Sequence, residues 1–140
     1  MKQPLKALNQ VHNRTPLGAL LDLSARIALV AIFLLAGVNK IQYYDGNAAY
    51  MASAGLPEIL LPAVIAFELL AGLAILIGFQ TRLVALAIAG FTLLTALMFH
   101  LDFSDQMQFL MFWKNVAIAG GFLVLAANGA GRLSLDARNA

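Results

Sequence analysis

The 140-residue chain contains no cysteine and few charges. Without cysteine it forms no disulfide, performs no thiol redox chemistry and offers no thiolate to an iron–sulfur cluster. Charged residues make up 11% of the chain, against about a quarter in a soluble domain. That is too few to cover a water-facing surface. Of the two histidines, His12 lies in a polar N-terminal stretch and His100 stands alone near an apolar run, so one chain cannot offer bis-histidine haem ligation. There is no glycine-rich phosphate loop and no set of residues arranged as a catalytic triad. The net charge of +2 and pI near 9.2 do not point to nucleic acid, because the nine Lys and Arg residues are scattered singly and form no basic stripe.

What remains is apolar. Hydrophobic residues make up 61% of the chain, and the mean hydropathy is +0.83. The apolar runs show no polar face, as a membrane span requires and a soluble helix does not. The pattern predicts an all-α fold: one antiparallel four-helix transmembrane bundle over residues 17–128, with helices at 17–39, 59–79, 83–99 and 109–127. Residues 1–16 and 129–140 read as polar tails. Each span approaches the roughly 20 residues that cross a bilayer. Thr15-Pro16 suits a helix start, with a capping hydroxyl followed by proline at the first helical position. Lys40 should end the first helix, and Thr81 should cap the third. The tripeptide Gln80-Thr81-Arg82 leaves no slack, so the second and third helices form a hairpin. Residues 42–56 are long enough for a short surface helix ending at Gly55. The polar N-terminus, and the lack of a small-x-small site after the first apolar run, predict that this helix is retained rather than cleaved as a signal.

Lys and Arg set the expected orientation. Lys2, Lys6, Arg14, Arg26, Arg82, Arg132 and Arg138 fall on one side. Lys40 falls on the other, with Asp45, Glu58, Asp102 and Asp105. Both termini are therefore expected in the cytoplasm.

Charges inside spans are costly and mark functional candidates. Asp22 and Arg26 have i, i+4 spacing and can pair; alternatively Arg26 snorkels to the interface. Arg26, Val30, Phe33, Gly37 and Lys40 share one helix face, which should meet protein. Glu68, with Ala71 and Gly72 beside it, is the deepest acid. By the helical rise it lies about 13 Å below the outer boundary and Lys114 about 8 Å, so their side chains should meet. Arg26 is the second candidate partner, while Lys40 sits at the boundary and reaches less well. Such a pair either fixes helix register or serves as a proton or ligand site, and Asn115 adjoins it. His100 with Asp102 and Asp105 is either a weak metal site or an interfacial cap. The aromatics toward the outer side, Tyr43, Tyr44, Tyr50, Phe99, Phe103, Phe109, Phe112 and Trp113, form a membrane belt; a planar quinone head could also stack among them.

Four segments in order, ARIALVAIFLLAGVNKI, FELLAGLAILIGFQTR, AGFTLLTALMFH and FWKNVAIAGGFLVLA, followed by SLDAR, resemble the DoxX family, closest to its small bacterial inner-membrane branch. The resemblance runs from about Leu20 to Arg138. It places the family's helix-one arginine and lysine on Arg26 and Lys40, and its helix-two acid on Glu68. The family's histidine falls on His100, and its Lys-Asn on Lys114 and Asn115. It implies a four-helix inner-membrane protein linked to quinol-oxidase or oxidative-stress complexes. The expected role is an accessory subunit, not catalytic alone, that holds a quinone or other lipid-like molecule. No metal or other cofactor is expected. The partners would be membrane lipids, redox-complex subunits or further copies of the chain. The alternatives are a small proton-coupled transporter and a structural assembly factor without a ligand.

Overall fold

The structure is a computed structural model and describes residues 15–140; what the sequence suggested for residues 1–14 lies outside the described residues. Every regular element among the described residues is helical. The elements are α1 (Pro16–Gln42), α2 (Tyr44–Ser53), a 3₁₀ turn (Glu58–Leu60), α3 (Leu61–Ile77), α4 (Thr81–Phe99), α5 (Gln106–Asn128) and the short α6 (Leu135–Arg138). Four helical stretches are long and apolar enough to cross a membrane: α1, the 3₁₀ turn with α3, α4 and α5.

The helix ends follow from local chemistry. The Thr15 hydroxyl accepts from the Gly18 N–H, and Pro16 takes the first helical position. The Asp105 carboxylate accepts from Met107 N–H at 2.8 Å, so α5 begins three residues earlier than its apolar run. Helix α3 ends on Gly78 in the left-handed region, φ +71°, where glycine carries no Cβ penalty. A Cβ there would also run into Ser134. Helix α1 continues to Gln42, so Lys40 lies inside its last turn instead of ending it.

Helix α1 packs chiefly on α3 and α4 chiefly on α5, with fewer contacts joining the two pairs. Lipid is as apolar as leucine, so close backbone approach and van der Waals fit hold such helices together. Glycine provides this in α1 and α3 reciprocally. Leu69 covers Gly37, and Leu34 covers Gly72; a Cβ would come within 2.7 Å and 2.8 Å of those side chains. The shared core holds Val30, Phe33, Ile75, Ile88 and Phe122, interleaved with alanines from α3, α4 and α5. Phe33 and Phe122 meet edge to face, with ring centroids 5.5 Å apart.

The two ends of the bundle differ. The tail end gathers Thr15, the α3–α4 turn and the segment after Asn128. The opposite end carries α2, whose Ala48 and Met51 bury against Leu61. There Tyr50 stacks on Phe99, with centroids 5.1 Å apart. Large apolar side chains such as Leu35, Leu70, Leu83 and Val124 point outward, the arrangement a lipid solvent favours.

Candidate functional site: a buried ion pair and a clamped tail end

Antiparallel packing of α1 on α3 brings Gly37 beside the Glu68 Cβ. Lys40, three residues further along α1, then reaches the carboxylate. Its Nζ lies 3.0 Å from both oxygens and donates a hydrogen bond to Oε1. The second oxygen, Oε2, is buried and accepts no hydrogen bond. The Glu68 side chain is 7% exposed and that of Lys40 21%, so the pair opens to its surroundings through the lysine.

This corrects the expected pairing of Glu68 with Lys114. Depth alone made those residues meet, but the direction around the helix axis decides. Helix α5 packs on α4, and Lys114 lies on its uncovered side, with Nζ 3.1 Å from the Met111 sulfur. Asn115, next in sequence, is half-buried. Arg26 is not a partner of Glu68 either. It reaches the C-terminal end of α3 at Ile75, about 10 Å along the helix from Glu68.

Arg26 is fully buried, and its charge is spent on carbonyls. Nη1 donates to Ile75 O at 3.1 Å and Leu76 O at 2.8 Å, and Nη2 donates to Leu133 O. The last carbonyls of a helix have no partners within it and carry partial negative charge, so the guanidinium both satisfies and neutralises this end of α3. The reading of Arg26 as snorkelling to the interface fails, since the side chain turns inward. Asp22 and Asp136 are the acids whose charges act on it. Arg82 does the same for α5, donating to Ala126 O at 3.0 Å, to Ala127 O and to Asn128 O at 3.4 Å.

Asp136 completes the tail end. Its carboxylate accepts from the N–H groups of Gln80 at 2.8 Å and Thr81 at 2.9 Å, and its own N–H donates to Gly78 O at 2.8 Å. Thr81 was expected to cap α4. It is instead the first helical residue, and the cap comes from a carboxylate 55 residues away. An open cleft of about 470 Å³ lies here between the α4 N-terminus and the returning chain, lined by Thr81, Arg82, Gly129 and Asp136 among others.

Burial pushes the Asp136 carboxyl up, but the hydrogen bonds from Thr81 and Gln80, helped by the Arg26 charge, hold it below the usual carboxylate range. A depressed folded pKa contributes stability that is full above the unfolded value of about 3.9 and is lost as pH falls through the folded value. The wild type should therefore lose part of its thermal stability between pH 5 and the acid limit. An Asp136→Asn variant should start lower at neutral pH and converge on the wild type in acid. Parallel melting curves across that range would remove Asp136 as the cap.

His100 Nδ1 lies 2.8 Å from the Gln108 side-chain oxygen, and Asp102 accepts instead from Ser104. Among the described residues no group of three or more His, Cys, Asp or Glu is placed to hold a metal ion. Sequence reasoning counted Arg82 as a topology signal and passed over Asp136. Each acts on backbone more than forty residues away, and no local spacing announces that.

A family model described as DoxX matches residues 21–101. Two proteins of Escherichia coli strain K12 are similar. "Inner membrane protein YqjF" is 51% identical over 114 residues, covering 81% of this chain and 88% of that protein. "Inner membrane protein YphA" is 44% identical over 123 residues, covering 83% and 88%. No solved structure matches the chain significantly.

Proposed function

The chain belongs to the DoxX family and is a multi-pass inner-membrane protein, and on that footing we propose that it is an accessory membrane subunit holding a quinone-class or similar lipid-like molecule by its polar head at Lys40 and Glu68. One observation carries this reading: Glu68 Oε2 is buried and makes no hydrogen bond, with the ion-paired Lys40 ammonium 3.0 Å away. A buried acceptor left unsatisfied is costly, so a built site of this kind calls for a donor. Lys40 is partly exposed and uses one of its three protons on Oε1, which leaves donors for an acceptor on the same head. A quinol hydroxyl can donate to Oε2 while an oxygen of the same head accepts from Lys40, and the quinol tail suits the apolar surroundings. The sequence has no thiolate and one histidine at a membrane end, so electron transfer would fall to a partner subunit. A purely structural lock between α1 and α3 is the competing reading, favoured by the equal 3.0 Å distances to the two carboxylate oxygens.

Mass spectrometry of lipid extracts from detergent-purified protein, with titration of a short-chain benzoquinol under reducing conditions, separates the two. The ligand reading expects near-stoichiometric occupancy in the wild type, about a tenfold loss in Glu68→Gln, as one charged hydrogen bond implies, and no change in Lys114→Met. Equal occupancy in the wild type and in a folded Glu68→Gln variant leaves the structural lock.

A further inference from the structure

Helix α5 is the least enclosed of the four spans. Within its apolar window 11% of residues are buried, against 22% to 28% in the others. Its uncovered face carries Leu110, Trp113, Lys114, Ala117, Gly120 and Val124 at helical spacing. Lys114 lies about 12 Å along the axis from the helix start at Gln106. Its ammonium turns toward the α2 end but reaches only the Met111 sulfur, five residues inside the helix, a weak acceptor that offsets little of the charge. No carboxylate of this chain among the described residues pairs with it. Glu68 is taken by Lys40, Asp22 lies at the tail end against Gly131, Asp136 caps α4 at the same end, Glu58 is the first residue of its span, and Asp45, Asp102 and Asp105 lie beyond the apolar spans. Next to Lys114, Ala117 and Gly120 are small and exposed, and a Cβ at Gly120 would meet nothing within 4 Å.

We propose that this face of α5 docks a transmembrane helix of a partner protein that carries a carboxylate at the depth of Lys114. The argument is charge complementarity. An ammonium facing lipid within a span is paired at lower free energy by an acid on a neighbouring helix, and small residues beside it let the two backbones approach. A second copy does not serve. A two-fold dimer through this face would bring one Lys114 toward the other, and the copy has no free acid at that depth. The inference is independent of the Lys40–Glu68 reading, because it rests on the opposite helix pair.

The chain has no cysteine, so an Asn139→Cys variant takes a single fluorescent label in the full-length protein. In vesicles, energy transfer would be measured to apolar Leu/Ala peptides of about 20 residues, each with a single Glu, Gln or Leu placed about a third of the way in. The Glu peptide is expected to associate about tenfold more tightly than the Leu peptide, the scale of one interhelical polar contact. Lys114→Met should abolish the preference without changing the melting temperature, and Lys114→Glu should transfer it to a peptide bearing Lys. Equal association of the three peptides would show that lipid alone covers this face. Tighter association of labelled copies with each other than with the Glu peptide would show a homodimer. Either result overturns the proposal.

Discussion

Lys40→Met should lower the stability of the bundle in detergent by about 3 kcal/mol, the lower part of the range for stranding one partner of a buried ion pair, because Lys40 is partly exposed. The stranded group is Glu68, held by α3 packing, with its buried Oε2 making no hydrogen bond even in the wild type. Glu68→Met should cost less. The stranded group is then Lys40, which sits in the last turn of α1 on a flexible stem and can carry its ammonium outward. The two positions thus differ in how easily the survivor escapes. A Lys40→Met, Glu68→Met double variant strands neither charge and should melt closer to the wild type than Lys40→Met alone. The coupling between the positions should then reach about 2 kcal/mol in a double-mutant cycle. Strict additivity of the single effects would show that the two groups do not depend on each other. Replacing a buried pair by apolar side chains is often neutral for stability, so a stable double variant that has lost its bound ligand would separate the ligand reading from the lock.

The limits of the sequence are visible in these same residues. The four spans are legible because a long run without charge has few other uses, and the stripe Arg26, Val30, Phe33, Gly37 is buried as its spacing requires. Lys114 shows what spacing omits. Its depth matched that of Glu68, but depth is one coordinate and the pairing also needs the direction around the axis. That direction is set by which helices are neighbours: Gly37 and Gly72 let α1 and α3 close on each other, which turns Lys40 toward Glu68. The first helix also runs past Lys40, because nothing in Lys40-Ile41-Gln42 breaks it. Asp136 was hidden for another reason. A cap is usually sought within a few residues of the helix start, and the Gln80 and Thr81 N–H groups are satisfied from the far end of the chain.

Arg26 joins these parts, and its replacement should have the largest single effect at the tail end. The guanidinium spans three carbonyls from two segments, Ile75 and Leu76 on α3 and Leu133 on the returning chain. Hydrogen bonds from a charged donor contribute roughly 1.5 to 3 kcal/mol each, and the orphaned carbonyls of Arg26→Met would regain part of that from water at this end of the bundle. A net loss of about 4 kcal/mol is therefore expected. Arg26→Lys should recover less than half of it, because a point-like ammonium cannot face both segments at once as the planar fork does. The loss should also be directional. With Leu133 released, Asp136 is less firmly held against the α4 N-terminus, so trypsin should cut at Arg132 and Arg138 faster in Arg26→Met than in the wild type under conditions where the spans remain intact. If the variant melts like the wild type and its C-terminal segment is cut no faster, the clamp is incidental and the tail is held by Asp136 alone. If the segment is released as expected while benzoquinol binding at Lys40 and Glu68 persists, the two ends of the bundle have separate duties: the tail end closes the fold, and the α2 end carries the ligand.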